Sequence, residues 1–156
     1  LEELLVLVNP DEITVIDMAP QRIGDVGGRL SEITDATKKV RYLLPQKVYA
    51  PRLTGASREQ VLEYAELNRR AMEPLFNMFI RTPTQILILN DVTLYLHAGE
   101  LETVLKSMRK ARTFLATAYR GSKLAENHGS GISAREEQLV KKLSIDMDQI
   151  IEIGVH

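Results

Sequence analysis

The stretch Gln85-Ile86-Leu87-Ile88-Leu89-Asn90-Asp91 (QILILND, 85–91) is an unbroken apolar run that stops at an amide and a carboxylate. A strand with one face in water alternates apolar and polar residues. A run that is apolar at every position belongs to a strand covered on both faces, as in a parallel sheet. The Asn90-Asp91 pair then falls just beyond the carboxyl end of that strand, the edge at which open α/β sheets bind their ligands.

Outward from this strand the same signal recurs. Residues 13–18 (ITVIDM) are β-branched and apolar and stop at Ala19-Pro20, and residues 113–119 (TFLATAY) form another run. A weaker pair, Val40 to Leu44 and Lys47 to Leu53, is interrupted by Pro45, and residues 149–153 (QIIEI) read as a last strand. Helical patterns lie between them. Ser57 and Gln60 form a capping box opening a helix that carries Val61, Leu62, Ala65 and Leu67 and is expected to kink near Pro74. Leu101, Val104, Leu105 and Met108 recur at helical spacing after Ala98-Gly99. Ser133 and Glu136 read as a second capping box before Leu139, Val140 and Leu143. Strand-helix alternation of this kind predicts an α/β fold with a doubly wound, mainly parallel sheet of about five strands and helices on both faces.

At 156 residues the chain fits a single α/β domain spanning 1–156. Its opening, LEELLVLVNP, reads as an element already under way, so a natural N-terminal segment is expected before Leu1. Hydrophobic residues at 44% and charged residues at 26% are ordinary for globular chains and argue against disorder. The chain has no cysteine, which removes disulfides, thiolate metal sites and cysteine nucleophiles and points to a reducing, cytoplasmic setting. No apolar run approaches the roughly 18 residues of a membrane span. A net charge of −1 with mixed signs gives no field for gathering nucleic acid, and Lys106, Arg109, Lys110 and Arg112 read as the solvated end of a helix.

The chemistry-bearing residues cluster at strand ends. Asp17 closes the first strand, ahead of Arg22 and glycines at 24, 27 and 28. Asp91, followed by Thr93, closes the third, and Thr117, Tyr119, Arg120 and Gly121 follow the fourth. A carboxylate at the end of an apolar strand can hold Mg²⁺ or its water shell beside phosphates. The competing reading is that Asp17 and Asp91 merely cap the turns that follow. Arg22, Arg52 and Arg120 each have the guanidinium fork that matches an oxyanion, Arg120 foremost because it directly follows a buried strand, with surface ion pairing as the alternative. His97, His128 and His156 lack metal-ligand spacing, no G-x-S-x-G elbow occurs, and the tyrosines are not interleaved with basic residues. The glycine-bearing segment 127–133 reads as a loop over a site.

ITVIDMAP, ILILND and TFLATAY together resemble the strands of P-loop nucleotide hydrolases, in the branch of partitioning and metal-chaperone ATPases, over about residues 11–155. The resemblance implies ATP or GTP with Mg²⁺ at the carboxyl edge of the sheet. It implies Asp91 as metal ligand and catalytic residue and Asp17 as catalytic residue at a switch loop, with Asn90, Thr93, Arg120 and Gly121 binding the nucleotide. It also implies a homodimer or a protein partner. The chain departs from the family in having no G-x-x-x-x-G-K-[ST]; residues 24–29 carry glycines without the lysine and hydroxyl that serve the phosphates. Hydrolysis is therefore expected only if the phosphate-binding loop lies upstream. Two other readings stand beside it: a non-catalytic α/β interaction module using residues 76–80 or 127–133, and a flavodoxin- or receiver-type binding domain.

Overall fold

The computed structural model describes residues 1–24, 28–120 and 127–154. Four strands, β1 (Ile13–Asp17), β2 (Arg41–Leu43), β3 (Ile86–Asn90) and β4 (Thr113–Ala116), form one all-parallel sheet in the order β2-β1-β3-β4. The apolar runs at 13–17 and 86–89 are buried at every position, as strands covered on both faces must be.

The helices are α1 (Glu2–Leu7), α2 (Pro51–Thr54), α3 (Arg58–Arg81), α4 (Val92–Leu96), α5 (Leu101–Lys110) and α6 (Ile132–Ile145). Side-chain alternation sorts the core into two layers. Ile16, Leu87 and Leu89 pack with Phe76 and Phe79 of α3, Tyr95 of α4, Val104 of α5 and Leu143 of α6. Ile13, Val15, Ile86 and Ile88 point the other way, onto Leu4 and Leu5 of α1, Leu30 and Tyr42. Helix cover is therefore lopsided. Helices α3 to α6 share one face, and the short α1 with neighbouring turns covers the β1 side of the other.

Several expectations meet the structure unevenly. Half of the capping box expected at α3 is present: Ser57 Oγ accepts from Gln60 N at 3.2 Å, but Gln60 Oε1 accepts from Ala56 N at 2.7 Å, one residue before the N-cap. The helix runs on through Pro74 as one element. Residues 47–50 are not a strand, because buried Asn68 accepts from Tyr49 N at 2.8 Å and donates to Tyr49 O at 2.9 Å, taking the backbone groups that a sheet would need. The Ser133 capping box is also corrected. Helix α6 begins at Ile132 after Gly131, and Glu136 is turned inward. Residues 149–153 are irregular and exposed, so the sheet has four strands among the described residues. Within the 76–80 segment Phe76 and Phe79 are fully buried and belong to the core, while Asn77 and Met78 are exposed. Among the described residues no helix is long and apolar enough to cross a membrane.

Candidate functional site at the strand-order reversal

The chain leaves β1 to one side to form β2, crosses back through α3 to β3 on the other side, and continues outward to β4. The reversal lies between β1 and β3, where Asp17 stands opposite Asn90. In such sheets the splayed connections leave a crevice beyond the strand ends. Here a cavity of about 240 Å³ is lined by Ala19, Gly28, Asn90, Asp91, Thr117, Ala118 and Tyr119. A larger hollow of about 340 Å³ lies between α1 and residues 34–39. None of the residues that follow the strand ends lines it, so the smaller crevice is the better site.

The two strand-end carboxylates have different environments. Asp17 is fully buried and takes four donors. Its Oδ1 accepts from Ala19 N at 3.2 Å and Asn90 Nδ2 at 2.9 Å, and its Oδ2 accepts from Leu30 N at 2.7 Å and from the Tyr42 hydroxyl. Burial, followed by the hydrogen bond to this carboxylate, pushes the Tyr42 phenol up to about 12.

Asp91 is half-buried, lines the crevice and sits in the left-handed region at φ 58, which aspartate tolerates better than most side chains. Among the described residues its one side-chain donor is the Thr93 hydroxyl. Burial pushes its carboxyl above the ordinary carboxylate range; the Thr93 bond and the charges of His97 and Arg52 oppose that rise, and Glu136 adds to it. A relay ties the two ends together: Asp91 N donates to Thr117 Oγ1 at 2.9 Å, and Thr117 Oγ1 donates to Asn90 Oδ1 at 3.0 Å. Val92 N donates to Thr117 O at 3.0 Å, which fixes the crevice wall to β4.

Behind this wall lies a buried ionic cluster that the sequence reading did not find. Arg52 grips Glu136 with both terminal nitrogens, at 3.2 and 2.9 Å, and His97 Nε2 lies 2.6 Å from Glu136 Oε2. The Arg52 guanidinium also lies over the Tyr119 ring, 5.2 Å from its centroid. The cluster thus joins α2, α4 and α6 to a residue of the crevice. Its only trace in the sequence is a glutamate where an amphipathic helix would bury an apolar residue.

The predicted site residues are therefore partly brought together. Asn90 and Asp91 line the crevice, Thr93 supports Asp91, and Asp17 lies one hydrogen bond behind Asn90. Arg120 is exposed and pairs with Glu152 at 2.5 Å, Arg52 is committed to Glu136, and Gly121 lies outside the described residues. Among the described residues no group of three or more histidine or acidic side chains could hold a metal. A single half-buried carboxylate fits a Mg²⁺ that arrives with a phosphorylated ligand and keeps most of its own waters. No protein-family profile, no curated protein and no solved structure matches this chain.

Proposed function

We propose that this chain is the nucleotide-binding domain of a P-loop-type ATPase or GTPase and that it takes its ligand in the crevice between β1, β3 and β4. One observation carries the reading. A cavity lies at the reversal of strand order, and its wall presents an amide, a carboxylate and a hydroxyl from the ends of two adjacent strands.

Among the described residues the lining holds one carboxylate and no lysine or arginine, so a bare phosphate would meet like charge there. The ligand class is accordingly a Mg²⁺ complex, with Asp91 facing the metal's water shell. Mg²⁺ at this place would neutralise phosphate charge and favour the ionised form of the Asp91 carboxyl. Asp17, saturated by its four donors, sets the position of Asn90 and does not meet the ligand. At about 240 Å³ the crevice holds part of a nucleotide, which matches a site whose phosphate-binding loop is contributed from elsewhere.

Calorimetric titration with Mg-ATP, Mg-GTP and the metal-free nucleotides tests this. Saturable, magnesium-dependent binding that Asp91→Ala abolishes is expected. Heat of binding that is identical with and without magnesium, or unchanged in Asp91→Ala, overturns it.

A further inference from the structure

The sheet ends at β4, whose inner edge pairs with β3; among the described residues its outer edge pairs with nothing. On the face away from α3 to α6, Leu115 of β4 is 51% exposed. An open strand edge beside an exposed apolar side chain is a template for another strand.

The chain itself supplies one. Helix α6 starts at the carboxyl edge of the sheet, where Arg135 donates to Leu96 O at 3.1 Å and to Gly99 O at 2.8 Å. Its 14 residues carry the chain about 20 Å away from that edge, at roughly 1.5 Å per residue. Met147 still packs on the helix-side core. By Glu152 the chain is back at the carboxyl edge, paired with Arg120 just past the end of β4. The return stroke therefore runs in the direction of β4. Along it Ile150, Ile151 and Ile153 are 59%, 74% and 89% exposed, a row of apolar side chains with no cover.

We propose that the outer edge of β4 is a strand-binding surface and that its occupant is residues 149–153 of the same chain. Docked there, the segment makes a fifth parallel strand joined to β4 by a right-handed crossover through α6. Alternation puts Ile151 and Ile153 on the face of Leu115 and turns Ile150 and Glu152 to the helix side. Docking removes apolar surface from water and gives the β4 backbone its missing partners.

The absence of native cysteine makes the test specific. Neighbouring strands lie about 4.8 Å apart, within disulfide reach. Leu115→Cys with Ile151→Cys is expected to close to an intramolecular disulfide under mild oxidation, read as a faster-migrating monomer on a non-reducing gel. Leu115→Cys with Ile150→Cys, on opposite faces, is expected to stay reduced. Equal bridging by both pairs means an undocked tail, bridging only between chains means that a second copy occupies the edge, and no bridging means no docking; each overturns the proposal. In the unsubstituted chain, amides 150–153 are expected to exchange with deuterium at least about tenfold more slowly than an open segment. Exchange at the open rate overturns the proposal as well.

Discussion

Asp17 and Asp91 occupy equivalent places, each at the carboxyl end of a buried parallel strand, yet the fold treats them in opposite ways. Asp17 is enclosed and saturated by donors from the loop after β1, the turn at Leu30, β2 and β3. Asp91 faces a crevice with one supporting hydroxyl and a left-handed backbone. The difference is one of place along the strand. Asp17 is the last residue of β1 and stands opposite Asn90, inside the sheet, whereas Asp91 lies one residue beyond β3, where the chain turns into α4. A carboxylate whose acceptors are all used holds structure together; one with acceptors to spare can meet a ligand.

The sharpest way to break this contrast is to remove each carboxylate in turn. Asp17→Ala strands four donors, two of them backbone amides, and is expected to cost about 3 to 5 kcal/mol, read by urea denaturation. Should Asp17→Ala cost no more than a surface change, the structural role assigned to it fails. Asp91→Leu places a bulky side chain at a positive φ, with an expected cost of about 1 to 2 kcal/mol and full loss of ligand binding. Tyr42→Phe deletes a single donor to Asp17 and is expected to cost about 1 kcal/mol.

The same tyrosine predicts an alkaline limit. Its folded pKa, about 12, lies above the ordinary 10, so between those values the unfolded chain has lost a proton that the folded chain keeps. The stability supplied by the Tyr42–Asp17 bond is complete below pH 10 and disappears as pH rises to about 12, a decline that Tyr42→Phe should lack. The smallest effect belongs to Asp91→Asn, which keeps the Thr93 acceptor and suits the left-handed backbone. Because the Asp91 carboxyl is raised on folding, ionising it opposes the fold as pH climbs above its unfolded value near 4. Asp91→Asn should therefore gain a few tenths of a kcal/mol on the native chain at neutral pH and nothing at pH 3. Thermal melts at the two pH values check the sign.

The strands at 13–17 and 86–90 were legible because burial on both faces writes a continuous apolar run; the run at 113–119 gave a strand too, but not a buried one, since every position of β4 is exposed or half-buried at the sheet edge. Helix α3 was legible from its cap and spacing. What the sequence hid was held by partners distant along the chain. Tyr49 sits in an apolar, strand-like stretch, but a single asparagine in α3 takes its backbone bonds. Glu136 satisfies a capping-box spacing, but Arg52 and His97 offer it a buried ionic partnership. At the site, Asn90 and Asp91 could be read from their place after a strand. The division of labour between Asp17 and Asp91 could not, since it depends on donors that other parts of the chain bring to Asp17 and not to Asp91.

The strand order also has a bearing on time. β3 and β4 pair across a short connection, and so do β1 and β2, whereas β1 reaches β3 only across the whole of residues 18–85. Closing the longer loop costs more chain entropy, so the junction of the two halves is expected to be the last pairing made. The crevice is that junction. A ligand seated in it contacts both halves, meets a surface absent from the folding transition state, and acts as a latch: it should slow unfolding in proportion to its occupancy and leave the folding rate unchanged.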